Sequence, residues 1–406
     1  MGEHSSHGHH SSHRHHRKHH SSRKRGFLNL RRKTGRRILV VCCVLIAALL
    51  VVGVVIDRLQ REGENIEPHI ELSEFDGDVS LVGGVVEEWM KWESSAQQLN
   101  NKYRQNGNIY CAKPVVISWM IYDVADTRAV VSQTLEISRD PDLETDVQVI
   151  EVSPGEHSAS VSCLLVNTDY YYSLAVDFSD GSTVSDKGSF STAWSPRIID
   201  VDGVLNVRDI GGWTAVDGRK IGQGLLYRGS ELDGAVWPLS TITDAGIDVM
   251  TNKLHIKTDL DLRPEGLWGG KNVLGDGVTR RVFGSTAYSG IFTDEGKANM
   301  KAVFSEFAKE ENYPIYLHCT YGADRTGTVC YVLESLIGMS EDDCYREWEL
   351  TALDNGVVSH DSMAVFRMDF KALEGETQAE KAENYLLSAG VTEAEIASIR
   401  EIFLGK

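Results

Sequence analysis

The sequence predicts a multidomain chain: a single N-terminal transmembrane helix, an all-β sandwich, and an α/β domain whose central, mostly parallel sheet is flanked by helices. Three observations predict it. Residues 38–56 (ILVVCCVLIAALLVVGVVI) run for nineteen positions without a charge, which is long enough to cross a bilayer as a helix. Residues 109–192 hold short β-branched and aromatic runs parted by turn residues, the pattern of a sandwich. Residues 314–336 pass from an apolar run through a tight, Gly-containing loop into a helix-compatible stretch, a strand–loop–helix unit of the kind found in α/β domains.

The chain opens on a low-complexity tail, residues 1–37. Nine of its histidines fall in the first twenty positions, and eleven Lys or Arg stand against one acid, a net of +10. Such a composition builds no core and predicts disorder, with the cations touching acidic lipid heads rather than a metal. Met1-Gly2 with Ser6 fits the minimal myristoylation pattern, which an anchor makes unnecessary. Residues 38–56 read as that anchor and not as a cleaved signal. The basic region before them is long, and Asp57-Arg58-Leu59-Gln60-Arg61 offers no small-residue cleavage site. The basic end should stay in the cytoplasm, leaving the rest of the chain extracytoplasmic. With a formal charge of −18 overall, everything after the tail carries −28. So acidic a body is not expected to bind nucleic acid.

Residues 57–108 read as an acidic stalk with one helical piece carrying Trp89, Met90, Trp92, Leu99 and Tyr103. The sandwich follows over 109–194, with strands expected at 115–119, 134–138, 147–152, 158–165, 170–178 and 187–191. Leu164, Thr168 and Tyr170 resemble the tyrosine corner of fibronectin type III domains, with Val166 in place of the usual proline. That resemblance implies Trp119 as a core tryptophan and a spacer or docking role for the domain. Seven cysteines form no C-x-x-C pair, which argues against a metal site, and spacing leaves a Cys111–Cys163 disulfide open.

Chemistry concentrates in the last domain, residues 195–406, at His318-Cys319-Thr320-Tyr321-Gly322-Ala323-Asp324-Arg325-Thr326-Gly327. A thiol at a strand end, a tight loop and the start of a helix make an anion cradle, because loop and first-turn N–H groups point into one concavity. The same partial charge favours the thiolate. Arg325 is suited to fork two N–H groups onto a phosphate. Gly322 permits the turn, and the hydroxyl of Thr326 is placed to make the sulfur a better leaving group. Residues 320–326 are the expected phosphate ligands, and covalent catalysis through a cysteinyl-phosphate follows. His318 would tune the thiol. No metal or other cofactor is needed.

This loop resembles the His-Cys-x-x-Gly-x-x-Arg-Thr-Gly signature of the cysteine-dependent tyrosine phosphatases. Asn206-Val207-Arg208-Asp209-Ile210-Gly211-Gly212, Asp217-Gly218-Arg219, Leu226-Tyr227-Arg228-Gly229-Ser230 and Asp259-Leu260-Asp261-Leu262-Arg263 are similar to the bacterial tyrosine/lipid phosphatase group, as is the stretch from Glu383 to Leu404. The resemblance implies hydrolysis of phosphomonoesters, with a phosphorylated protein, peptide or small molecule as substrate. Ala323 stands where lipid-active members carry lysine, which favours phosphotyrosine over inositol head groups. A carboxylic acid must protonate the leaving oxygen. Asp324, matching the family's loop aspartate, is the first candidate and Asp261 the second. Arg228 is a supporting residue, and Asp209 is expected to brace Arg208 or a turn. A phosphoinositide phosphatase, a non-catalytic phosphate-binding module and a rhodanese-type sulfurtransferase are the alternatives.

Overall fold

The computed structural model describes residues 44–56, 67–106, 109–124, 128–264, 272–354, 356 and 358–405. Residues 44–56 form helix α1, with its side chains exposed. Among the described residues no helix is long and apolar enough to cross a membrane. The first six positions of the expected span, 38–43, lie outside the described residues, as does the basic tail.

Where a stalk is expected, the chain from residue 68 is folded. Strand β1 (His69–Leu72) is followed by α2 (Gly84–Met90) and α3 (Ala96–Tyr103). Val86, Trp89, Ala96 and Leu99 are buried in the same core cluster as the C-terminal domain. The periodicity misleads because two short helices break at residues 91–95, so neither repeats its apolar face long enough to be read.

Strands β2 (Val115–Tyr122), β3 (Val130–Ser138), β4 (Gln148–Val152), β5 (Ser158–Val161), β6 (Asp169–Phe178) and β7 (Thr183–Ser191) complete the all-β region. They pair antiparallel in two sheets, ordered β1-β2-β5 and β4-β3-β6-β7. Period-2 alternation sets the inner faces: Val115, Ile117 and Trp119 on β2, and Tyr170, Tyr172, Leu174, Val176 and Phe178 on β6, are buried. One polar side chain sits among them. Gln133 accepts from Trp119 Nε1 at 2.8 Å and donates to the carbonyls of Ser153 and Glu156, so its burial leaves nothing unsatisfied. Tyr170 accepts the Leu165 N–H on its hydroxyl at 2.8 Å. Cys111 and Cys163 are free thiols.

The C-terminal domain runs β8 (Arg197–Ile198), β9 (Arg208–Asp209), β10 (Leu226–Gly229), α4 (Asp244–Asp248), β11 (Thr258–Asp261), β12 (Thr279–Val282), α5 (Asp294–Phe307), β13 (Ile315–His318) and α6 (Asp324–Leu336). Helices α7 (Glu341–Glu349), α8 (Thr351–Asp354), α9 (His360–Lys371), α10 (Gln378–Ser388) and α11 (Glu393–Leu404) follow. One six-stranded sheet, β12-β11-β13-β10-β9-β8, is parallel across its first four strands and antiparallel across the last two. Every residue of β10, β11 and β13 is buried, as strands covered on both faces require. Helices α10 and α11 each begin with a full capping box, Thr377 with Glu380 and Thr392 with Glu395.

Sandwich and α/β domain are joined by buried polar contacts. Arg197 donates to the carbonyls of Cys163 and Leu164, then to Asp209 Oδ2 at 2.7 Å and the Tyr227 hydroxyl at 3.0 Å. Gln223 exchanges two hydrogen bonds with the Val166 backbone. Asp209 therefore braces Arg197, not Arg208, and also accepts the N–H groups of Gly211 and Gly224.

Candidate active site

Strand β13 is central in the sheet and ends at His318, and α6 begins at Asp324. The five residues between them form the loop. At Gly322, φ is +67°, and a Cβ there would lie 2.4 Å from the Gly229 carbonyl oxygen, so only glycine fits. The carbonyls of Thr320, Tyr321 and Gly322 are all taken by donors from outside the loop. Thr320 O accepts from the Glu231 N–H at 3.0 Å. Asn206 Nδ2 donates to Tyr321 O and Gly322 O at 3.2 Å each, and Arg228 donates to Gly322 O at 2.7 Å. With those carbonyls engaged, the loop is left to present its N–H groups, the anion-binding arrangement of a nest. No side chain caps α6, so its first-turn donors add to that field.

The brace is itself braced. Glu347 on α7 takes Arg228 at 2.5 Å and Arg208 at 2.6 Å, all three side chains being essentially inaccessible. Arg208 also donates to Asn206 Oδ1 and Thr351 Oγ1. Asn206 has φ of +63°, a conformation tolerated better by Asn than by most residues. Sequence reasoning assigned Asn206, Arg208 and Glu347 no loop-holding role.

Cys319 is buried at the cradle's centre. Burial pushes its thiol up, but the Arg325 charge, the hydroxyl and N–H of Thr326 and the N–H of Gly322 outweigh it and hold the thiol below its ordinary value. Thr326 Oγ1 is buried with no other partner among the described residues, which leaves the hydroxyl to the sulfur. Arg325 donates to Thr320 Oγ1 at 3.1 Å and to Leu262 O at 3.5 Å, which folds its guanidinium over the loop. Ala323 is fully buried.

His318 sits with Nδ1 3.0 Å from Cys319 O and Nε2 3.0 Å from Asp259 Oδ1. Burial opposes its charge, yet Asp261 and Asp259 prevail and push its pKa up to about 9, so it is an imidazolium at neutral pH. Asp261 does not fit the role of acid. Its Oδ1 accepts two Arg263 N–H groups at 2.9 Å, and Oδ2 accepts Arg263 at 2.8 Å and Arg280 at 2.6 Å. Burial raises its pKa, but the His318 and Arg263 charges drive it well below the usual carboxylate range. It has no proton to give. Asp324 differs: it opens α6 next to Arg325, is partly exposed, and is in no ion pair among the described residues. Cys319, residues 320–326, His318 and Arg228 are thus brought together, while Asp261 is paired with Arg263 and Arg280 beside them.

These residues match the tyrosine phosphatase family. The match runs over residues 199–266 and 275–405, which takes in the Asn206 brace, β10, the loop and the closing helices. No curated protein matches the chain. Among solved structures, the core catalytic domain of the PP-IP phosphatase SIW14 from S. cerevisiae, in complex with citrate, is similar at 18% identity and a TM-score of 0.28. That similarity covers 36% of this chain and 84% of that one. The matched segments lie in the α/β half, and α2 and α3 pack into its core from outside them.

Proposed function

We propose that the chain is a phosphoric monoester hydrolase that works through a cysteinyl-phosphate, with phosphotyrosine in proteins or peptides as its preferred substrate. The observation that carries this is the Cys319 thiol, held below its ordinary pKa inside a loop whose carbonyls at residues 320–322 are taken by donors from Glu231, Asn206 and Arg228. The Cys319 thiolate attacks phosphorus, the ester P–O bond breaks, and protonated Asp324 gives its proton to the leaving oxygen. Water then attacks the phosphocysteine, Asp324 takes its proton, and the thiolate leaves with inorganic phosphate. Arg325 and the loop N–H groups carry the charge on the equatorial oxygens.

Two features support a singly phosphorylated aromatic substrate. Of Arg228, Arg263 and Arg325, which lie on the loop or at the strand end beside it, only Arg325 has no carboxylate partner among the described residues. A polyphosphorylated head group would need more free cations. Trp237 meets the loop's Tyr321 edge-on, with centroids 4.9 Å apart, and both rings are half-buried. An aromatic rim of this kind suits a phenyl leaving group. Side-by-side kcat/KM on a phosphotyrosyl peptide and on inositol polyphosphates, with chelator present, should favour the peptide by about tenfold or more. That is on the order of 1.4 kcal/mol. Equal or faster hydrolysis of the inositol phosphates overturns the substrate, and loss of all activity on chelation overturns the mechanism.

The charge step across residues 38–56 supports a membrane-anchored enzyme with its catalytic domain outside the cytoplasm. The full chain should stay in the membrane pellet after alkaline carbonate extraction, and recovery in the supernatant would end this part of the reading.

A further inference from the structure

The geometry points to Tyr288 as the positioning residue of the acid Asp324, an inference that rests on the phosphatase reading above. Tyr288 opens a turn of 3-10 helix (Tyr288–Phe292) just before α5, more than thirty positions from the loop in sequence. Its phenol donates to Asp324 Oδ1 at 2.5 Å. Its backbone N–H donates to Thr328 Oγ1 at 2.8 Å, and the same hydroxyl donates to the Asp324 carbonyl at 2.7 Å. The turn is therefore clamped twice to the first turn of α6, once through the acid's side chain and once through its backbone. Tyr288 holds this place with φ of +50°, a conformation rare for an aromatic residue and sustained only where the surroundings demand it.

A short donor on one carboxyl oxygen has a definite chemical consequence. Oδ1 is occupied by the phenolic proton, so the transferable proton is assigned to Oδ2. The carboxylate formed when that proton leaves keeps its hydrogen bond. Burial, and after it the Asp324 partner, push the phenol well above its ordinary value, so Tyr288 remains a donor throughout the working pH range. Tyr288 touches neither phosphorus nor sulfur. Its effect should appear only in steps where Asp324 moves a proton.

Leaving-group chemistry isolates that effect. p-Nitrophenolate departs with little protonation, whereas phenolate needs the acid. Tyr288→Phe should lower kcat/KM, which reads only cysteinyl-phosphate formation, on phenyl phosphate by about tenfold, inside the range general acids supply, and on p-nitrophenyl phosphate by less than about twofold. In an Asp324→Asn background the same substitution should change phenyl phosphate turnover by less than about twofold, since residues acting as a unit are not additive. Thr328→Val loosens the clamp without touching the phenol and should show the same leaving-group selectivity. Equal losses on both esters in either variant, or an undiminished effect of Tyr288→Phe without Asp324, overturn the assignment. The underlying reading is judged separately: it stands if Cys319→Ser abolishes p-nitrophenyl phosphate hydrolysis, whatever Tyr288→Phe does.

Discussion

Cys319→Ser is expected to abolish hydrolysis of aryl phosphates, with kcat falling by about 10⁴ or more, the scale on which removal of a catalytic nucleophile acts. The magnitude follows from how the loop activates sulfur. Arg325, Thr326 and the N–H group of Gly322 shift a group whose ordinary pKa is about 8.5 downward against the opposing push of burial. A thiol starts close enough to neutral pH for a downward shift of this kind to enlarge its thiolate fraction. A serine hydroxyl starts far too high for the same field to ionise it, and the described site places no neutral histidine to take its proton. His318, the nearest, points one nitrogen at Cys319 O and the other at Asp259. The pH dependence has a definite sign. A lowered thiol pKa keeps the nucleophile present below the ordinary value, so the acidic limb attributable to Cys319 should lie below about pH 8.5. The variant keeps every carbonyl brace and should still bind phosphotyrosyl peptide. Turnover within about tenfold of wild type would sink the covalent mechanism.

How much of this was legible in the sequence depended on where the parts lie along the chain. Nucleophile, cation and turn glycine all fall within Cys319–Arg325, so local spacing pointed to them, and the family resemblance of the loop added Asp324 as first candidate for the acid. Their support lies elsewhere. Asn206, Arg228, Tyr288 and Glu347 are drawn from four separate elements, and only the parallel register of β10 and β13 brings Arg228 level with Leu317. Asn206 carried a signal in a weak form, a polar residue entering β9 in a conformation that glycine or asparagine favours. Glu347 carried none: within Glu341–Glu349 it reads as one acid among five on a charged helix. Asp261 shows the opposite failure. The acid-and-base ending of β11 suggested a proton donor, but two arginines and an imidazolium converge there, and charge neutrality is a property of the packed site. The sandwich was legible strand by strand because period-2 alternation is local. Its β1 edge was missed because four residues give alternation too little length.

The second large effect is expected at Glu347. Among the described residues this carboxylate is the one counter-charge that touches both Arg208 and Arg228, and those arginines hold Asn206 Oδ1 and the Gly322 carbonyl. Burial raises its pKa, but the two guanidinium charges hold it below the usual range. Its stabilisation is thus present above the unfolded-state value and lost as pH falls through the folded one. Glu347→Ala leaves two buried cations uncompensated, which costs about 3–5 kcal/mol. It should appear as a lower denaturant midpoint at unchanged slope, with turnover falling as the loop loses its brace. Glu334, fully buried on α6, supplies the internal control. Burial, then the Glu347 charge, hold its carboxyl well above the usual range, which favours its neutral form. Glu334→Gln exchanges one neutral group for another of the same shape and should change stability by less than about 1 kcal/mol, as volume-conserving exchanges do. Were the two variants to unfold at the same midpoint, the charge assignment within the cluster would be wrong. A midpoint for Glu347→Ala equal to wild type would remove the cluster from any account of how the phosphate loop is held.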